Sequence, residues 1–281
     1  MNKIYKYLSL FRPHQWIKNL LLLFPPFFGA KILSPQVVTD AVPALVSFSF
    51  AASCGYILND IWDRKHDNLH STKRDRPLAS GELSVVTASL LALLLYLSSM
   101  IIAGAVSARF QGFVIIYLFL SCSYTMYFKH QVIVDIFFIS FGFLVRVLAG
   151  GEAFHVQVTN WLFLTVFIVA MFLATGKRLG ELLTLKEVAQ KHRKSLYHYP
   201  QSFLEHMLWF TASSALVTYS LYCIENKREL FYTVPIAAFG LIRYVYIAKQ
   251  GNGDPTDVLL KDNQIMITGI MWIVMLGALI Y

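Results

Sequence analysis

The sequence predicts an all-α membrane protein with nine transmembrane helices, a fold class supported by its composition, apolar runs and charge distribution. Hydrophobic residues make up 57% of the 281 residues and charged residues only 14%, whereas about 25% are charged in a typical soluble domain. Because a membrane-spanning helix needs about 20 mostly apolar residues, this content suffices for roughly eight or nine helices. An ordinary soluble domain, a disordered chain and a fibrous repeat are excluded. A β-barrel is disfavoured because its strands alternate apolar and polar residues.

Nine apolar runs follow one another without a low-complexity linker, so we predict a single domain over residues 1–281, located in the inner (plasma) membrane. The first run follows a polar stretch and lacks a small-residue cleavage site, which indicates a retained helix rather than a signal peptide. Pro25 and Pro26 should kink or break this run. The runs cover residues 17–34, 41–59, 83–106, 110–128, 131–150, 160–176, 207–225, 231–248 and 264–281.

Lysine and arginine residues are distributed unevenly between alternate loops. Eighteen lie in the N-terminal segment up to Lys18 or follow the second, fourth, sixth and eighth runs, and four lie in the alternate segments. By the positive-inside rule, the N-terminus is cytoplasmic, the C-terminus is outside, and the polar loops 59–82 and 177–206 share the cytoplasmic face. The net charge of +8 is then explained by basic loops beside an anionic leaflet. It is compatible with an anionic substrate and does not require nucleic acid.

An acidic motif, Asn59-Asp60-x-x-Asp63-x-x-x-Asp67, follows the second apolar run. On a helix with about 100° per residue, these side chains project into one arc roughly 100° wide. Carboxylates that close repel one another unless a cation neutralises them, and Mg²⁺ takes oxygen ligands that include one or two carboxylates. The alternative, a solvated acidic helix end, would oppose the helix dipole. We therefore predict Mg²⁺ as the cofactor and these four residues as its ligands, with Asp60, Asp63 and Asp67 as catalytic residues.

A basic loop comes directly after the acidic motif. Lys73, Arg74 and Arg76 lie just before Pro77 and Gly81, and arginine and lysine at this density suit phosphate oxygens. The alternative is that these residues supply only positive-inside charge. Beside an acidic metal cluster, we predict that they bind substrate.

The sixth run also ends in charged residues, Lys177, Arg178 and Glu181. On a helix they have the same angular layout as Asn59, Asp60 and Asp63, so the two helix ends are alike in position and differ in chemistry. The first offers carboxylates, and the second offers two cations and one carboxylate. We predict that these residues bind substrate.

Four further polar residues near or within apolar runs are candidates for substrate binding. Lys18 and Asn19 share a helix face at the membrane, where Lys18 contacts a phosphate or simply extends to the interface. Arg243 lies inside the eighth run, where a cation is costly. It either holds a lipid phosphate or pairs with a carboxylate. Asp135 opens the fifth run on the cytoplasmic side, and Arg146, about 16 Å further along that helix, is interpreted as structural.

Several motifs together resemble the UbiA-type intramembrane prenyltransferase superfamily, and the resemblance covers nearly the whole chain. The acidic motif resembles the first aspartate-rich motif of that superfamily, whose members have nine transmembrane helices and aspartate motifs at the cytoplasmic ends of the second and sixth. Other segments resemble the decaprenyl-phosphate phosphoribosyltransferase branch. They are Arg12-Pro13-His14-Gln15-Trp16-Ile17-Lys18-Asn19, Lys73-Arg74-x-Arg76-Pro77-Leu78-Ala79-Ser80-Gly81, Gly176-Lys177-Arg178-x-x-Glu181, Arg243-Tyr244 and Asp254-Pro255-x-x-Val258-Leu259-x-x-Asp262.

The resemblance implies a Mg²⁺-dependent enzyme that transfers phosphoribosyl from 5-phosphoribosyl 1-diphosphate to a polyprenyl phosphate and releases pyrophosphate. Lys177 and Arg178 replace the second aspartate motif, and this departure favours a phosphoribosyl donor over a prenyl diphosphate. An aromatic acid prenyltransferase is the alternative enzyme. A transporter or lipid carrier is a remote alternative, because transporters place ionisable groups near the bilayer midplane and here they lie at its edge.

Overall fold

The computed structural model describes residues 9–68, 73–185, 196 and 198–281, and all regular secondary structure within these ranges is helical. The predicted all-α class is therefore confirmed. The α-helices are α1 (Phe24–Phe28), α2 (Pro35–Asn68), α3 (Val85–Val106), α4 (Ala108–Met126), α5 (Val134–Ala153), α6 (Asn160–Leu185), α7 (Gln201–Asn226), α8 (Val234–Ala248), α9 (Pro255–Lys261) and α10 (Asn263–Ile280). Short 3₁₀ segments cover Pro13–Leu23, Lys73–Asp75, Phe128–His130 and Arg228–Thr233.

Seven helical segments in the described ranges are long and apolar enough to cross a membrane. They are α2, α3, α5, α6, α7, α10 and the segment Arg228–Ala248 that contains α8. The first apolar run instead forms the 3₁₀ segment Pro13–Leu23 and the short helix α1, which contains Pro25 and Pro26. The expected break at the two prolines is thus present. The count of nine spans and the orientation of the termini stay predictions.

The chain divides into two compact units, and the predicted single domain stays a prediction. The first unit comprises residues 1–129 and 145–158. In it, α2 packs against α3, α4 and the segment Pro13–Leu23. Its core includes Phe48, Phe110 and Tyr117, with ring centroids 5.9 Å apart for Phe48–Phe110 and 5.3 Å for Phe48–Tyr117. Ser107 joins α3 to α4 in extended conformation and caps α4 by accepting a bond from the N–H of Phe110 at 3.0 Å.

The second unit comprises residues 130–144 and 159–281. In it, α6 packs along α7, and α8 packs along α10. Phe172 of α6 meets Tyr244 of α8 with 5.0 Å between ring centroids, inside a buried apolar cluster. Asp254 caps α9 and Asp262 caps α10. The charged ends of α2 and α6 therefore belong to different units, and each is built by its own neighbours.

Candidate functional site

The acidic motif forms the last turns of α2, as its spacing predicts. Two of its carboxylates are buried in ion pairs with arginines. Asp60 Oδ1 accepts from Arg12 Nη2 at 2.5 Å and from Arg76 Nη1 at 3.1 Å. The same Nη1 of Arg76 donates to Asp67 Oδ2 at 2.6 Å. The Asp60 and Asp67 side chains are only 4% and 7% exposed. Their burial is possible because each negative charge is matched by a guanidinium group.

The other two residues of the motif have different partners. Asp63 pairs with the ammonium group of Lys129, which is buried. Asn59 Oδ1 accepts from the Thr125 hydroxyl at 3.2 Å. These contacts direct Asp63 and Asn59 toward the C-terminal end of α4 and the 3₁₀ segment Phe128–His130 that follows it. The spacing of the motif predicted one shared site, and the structure instead divides its members between two sets of partners.

Two carboxylates of this end, Asp60 and Asp67, fit Mg²⁺, and the predicted set of four ligands stays a prediction. Among the described residues, no three His, Cys, Asp or Glu side chains are grouped so that they could hold a metal ion. Asp60 and Asp67, however, approach the same guanidinium nitrogen, and each uses only one oxygen in the ion pairs given above. Two carboxylates are sufficient, because Mg²⁺ commonly completes its coordination with water and substrate phosphates.

Arg12 is a member of this cluster that the sequence analysis did not select. Its backbone is left-handed, with φ 49° and ψ 59°, immediately before Pro13. Such a conformation is costly for a residue with a side chain. Nearby bonds hold the segment on α2, from Trp16 Nε1 to Ser53 Oγ at 3.0 Å and from Ser53 Oγ to the carbonyl of Phe11 at 2.8 Å. The Arg-Pro-His-Gln segment was the signal that could have identified Arg12.

The remaining predicted residues of the first unit lie in varied surroundings. Lys18 is half-buried. Asn19 is buried, donating to Ser49 Oγ at 3.0 Å and accepting from Arg146 Nε at 2.8 Å, so it joins helices rather than facing outward. Arg74 is exposed and lies 4.0 Å from Asp75. The side chain of Lys73 is outside the described residues.

At the basic end of α6, Arg178 is buried in a network of carboxylates. Its side chain is 2% exposed, and it donates to Asp135 Oδ2 at 2.8 Å and to Glu181 Oε2 at 2.7 Å. Asp135 is fully buried and also accepts from the Tyr199 hydroxyl at 2.7 Å. Burial, and then this bond to Asp135, raises the pKa of Tyr199. The structure therefore places Arg178, Asp135 and Glu181 together, in contacts with one another that favour a structural role.

Lys177, in contrast, is accessible. Its ammonium group pairs with Asp254 Oδ2 at 2.6 Å, and both side chains are 39% exposed. Burial alone would raise the pKa of Asp254, but Lys177 and the backbone N–H groups of Asp257 and Thr256 outweigh it and lower that pKa. Asp254 therefore stays ionised below the usual range of an aspartate, and the pair is lost only as the pH falls through that lowered value.

Arg243 pairs with a carboxylate, which was one of its two predicted roles. Its Nη2 donates to Asp262 Oδ2 at 2.7 Å, and its guanidinium carbon lies 5.3 Å from the centre of the Tyr246 ring. The bond from Arg243, followed by the one from the N–H of Ile265, lowers the pKa of Asp262. Both side chains remain partly exposed.

Comparison with known proteins identifies the family of the chain. The profile of the UbiA prenyltransferase family matches residues 22–274. The chain belongs to the UbiA prenyltransferase family. A decaprenyl-phosphate phosphoribosyltransferase from Mycolicibacterium smegmatis is 33% identical over 288 aligned positions, which cover 96% of this chain and 91% of that protein. One from Mycobacterium tuberculosis is 30% identical, with 95% and 91% covered.

The fold of this UbiA family member also agrees with solved structures. A UbiA homolog from Archaeoglobus fulgidus, bound to DMAPP and Mg²⁺, superposes with a TM-score of 0.76 at 21% identity, covering 98% of this chain and 99% of that one. At this identity the likeness concerns the fold. Together with the seven long apolar helices, it identifies the chain as an integral membrane protein.

Proposed function

We propose that this UbiA family member is a polyprenyl-phosphate phosphoribosyltransferase. It transfers phosphoribosyl from 5-phosphoribosyl 1-diphosphate to a polyprenyl phosphate and releases pyrophosphate. The observation that carries this proposal is the 33% identity to a decaprenyl-phosphate phosphoribosyltransferase across 96% of the chain. The end of α6 supports it, because its one carboxylate, Glu181, is already bound by Arg178, whereas a second Mg²⁺ would need carboxylate ligands of the kind that a second acidic motif supplies.

The charged residues match the chemistry of the donor. Asp60 and Asp67 would hold Mg²⁺, which when bound neutralises the negative charge that develops on departing pyrophosphate. Arg12 and Arg76 lie at the same carboxylates, and guanidinium groups bind phosphate oxygens in a two-pronged geometry. In the second unit, Lys177 and Arg243, both partly exposed, are cations suited to phosphate groups.

The reaction needs no general base from the protein. The acceptor is a phosphate monoester whose oxygens are ionised near neutral pH, so a phosphate oxygen attacks the anomeric carbon directly. The bond from that carbon to the diphosphate breaks through an oxocarbenium-like ribose, as in other glycosyl transfers. Direct displacement inverts the configuration at the anomeric carbon. Neither histidine nor glutamate is therefore needed as a proton acceptor.

The test is an assay of protein purified in detergent, given labelled 5-phosphoribosyl 1-diphosphate, Mg²⁺ and a polyprenyl phosphate. The expected result is label in a lipid product that still carries a phosphate, with one pyrophosphate released per product, and loss of both in EDTA. A parallel reaction contains a prenyl diphosphate and an aromatic acid. Prenylation of the aromatic acid without use of the phosphoribosyl donor would assign the chain to the alternative activity.

We also propose that the charged ends of α2 and α6 face the cytoplasm from the inner membrane, in a single domain of nine spans. The uneven distribution of lysine and arginine between alternate loops supports this orientation. Each charged end would then be open to water-soluble substrates on the cytoplasmic side.

A further inference from the structure

The motif Asp254-Pro255-x-x-Val258-Leu259-x-x-Asp262 lies in the second unit, around the helix α9. Its two aspartates stand at the two ends of the seven-residue helix α9. Each aspartate forms an ion pair with a partly exposed cation of the second unit. Asp254 pairs with Lys177, and Asp262 pairs with Arg243.

The two carboxylate oxygens of Asp254 make different contacts. Oδ1 accepts from the backbone N–H groups of Thr256 at 3.0 Å and Asp257 at 3.4 Å, which caps α9. Oδ2 binds the Lys177 ammonium group at 2.6 Å. The cap fixes the carboxylate relative to the backbone, and the carboxylate in turn fixes the end of a long, flexible side chain.

The loop that carries Asp254 is itself held against α6. A Cβ atom at Gly180 would collide with the backbone of Gly253, and one at Gly253 would collide with the carbonyl of Gly176. The Tyr244 hydroxyl donates to the carbonyl oxygen of Gly253 at 2.8 Å. Close backbone contact between glycines therefore places Asp254 beside Lys177, one residue after Gly176.

Asp262 repeats the arrangement at the other end of α9. Its Oδ1 caps α10 by accepting from the N–H of Ile265 at 2.9 Å, and its Oδ2 accepts from Arg243 at 2.7 Å. The same chemical device, a capping aspartate that also holds a cation, thus occurs twice within nine residues of sequence.

We propose that Asp254 and Asp262 are positioning residues, which hold Lys177 and Arg243 in place for the phosphate groups of the substrates. This inference rests on the proposed phosphoribosyl transfer. Lysine and arginine each lose about 2 kcal/mol of side-chain conformational freedom when they are fixed in one geometry. If the aspartates order these side chains before the substrate binds, less conformational free energy is lost when it binds. The pair with Asp254 uses one of the three ammonium hydrogens of Lys177.

A negative aspartate beside a phosphate site also repels the ligand, so its net effect on binding is the difference between ordering and repulsion. Asp254 directs one oxygen at the first N–H groups of α9, and a helix N-terminus carries partial positive charge. Part of its negative charge is compensated there, which weakens the repulsion of a phosphate. We therefore expect ordering to outweigh repulsion, so that removal of the charge weakens substrate binding.

The experiment compares Asp254→Asn, Lys177→Met and the double variant in the phosphoribosyl transfer assay. Asparagine caps helices about as well as aspartate, so the substitution removes the charge and retains the cap. Asp254→Ser, which also retains a cap, serves if the asparagine variant does not fold. The matched control is Asp257→Asn in the same helix, whose partner Lys261 is 75% exposed. Thermal unfolding of every variant is measured in detergent.

We expect Asp254→Asn to raise the KM for 5-phosphoribosyl 1-diphosphate about tenfold, equal to about 1.4 kcal/mol, while the control leaves it unchanged. In the Lys177→Met background the same substitution should have no further effect. An unchanged or lowered KM, or independent effects in the double variant, would overturn the inference. If the wild-type protein does not use this donor at all, the proposed function fails, and the inference that names this donor fails with it.

Discussion

Lys177 and Arg178 are neighbours in the sequence, yet their side chains have opposite environments. Arg178 is 2% exposed between Asp135 and Glu181, whereas Lys177 is 39% exposed beside Asp254. We expect Arg178→Ala to lower the free energy of unfolding by about 3–5 kcal/mol, because it leaves Asp135 buried without its cation. Lys177→Ala should lower it by less than about 1 kcal/mol and reduce donor binding instead. Thermal unfolding and steady-state kinetics in detergent separate the two effects, and equal destabilisation would contradict this assignment.

Arg76 pairs with both Asp60 and Asp67, so these two carboxylates share its positive charge. Arg76→Ala should destabilise the protein by about 1–3 kcal/mol, because buried carboxylates lose a charged hydrogen-bond donor. Added Mg²⁺ should restore part of that loss, since a metal ion at the same carboxylates supplies the missing charge. The measurement is the unfolding temperature with and without Mg²⁺. Arg74→Ala, whose side chain is exposed, is the control. A Mg²⁺ effect no larger than in wild type would count against this metal site.

At the scale of helices, the contact between α6 and the Gly251–Gly253 loop depends on the absence of side chains. Gly180→Ala should displace the loop, lower the unfolding temperature and raise the donor KM in the same direction as Asp254→Asn. Gly269→Ala in α10 is the matched control, because among the described residues a Cβ atom there meets nothing within 4 Å beyond the backbone of its own helix. Alanine should be neutral or stabilising at that position, by up to about 1 kcal/mol. Wild-type kinetics in Gly180→Ala would show that the loop does not position Asp254.

The helices themselves, and the placement of the acidic motif on α2, could be predicted because both depend on local periodicity. The partners of the motif could not be predicted in this way. Arg12 lies 48 residues from Asp60, Lys129 lies 66 residues from Asp63, and Asp254 lies 77 residues from Lys177. Each of these pairings depends on how helices pack, and helical spacing in one segment carries no information about a distant one. The burial of Arg178 was missed for the same reason.

At the scale of the whole molecule, the charge distribution predicts the membrane topology. Single cysteines at positions 74 and 191 should react with a membrane-impermeant thiol reagent only from the cytoplasmic side, and a cysteine at position 281 only from outside. Native Cys54 and Cys223 are buried and Cys122 is partly exposed, so the experiment begins from a variant in which Cys122 is replaced by serine. Labelling of positions 74 and 191 from opposite sides would refute the shared cytoplasmic face.

The length of α2 has a consequence for where the chemistry takes place. Its 34 residues extend about 51 Å at 1.5 Å per residue, whereas the hydrocarbon layer of a bilayer is about 30 Å thick. Unless the helix is steeply tilted, one of its ends must therefore extend beyond the hydrocarbon layer into the hydrated headgroup region. Its acidic end, where Asp60 and Asp67 lie, is the more highly charged one. A sugar phosphate dissolved in water and a lipid that never leaves the bilayer could then meet at the boundary between the two solvents, and neither reactant would have to enter the medium of the other.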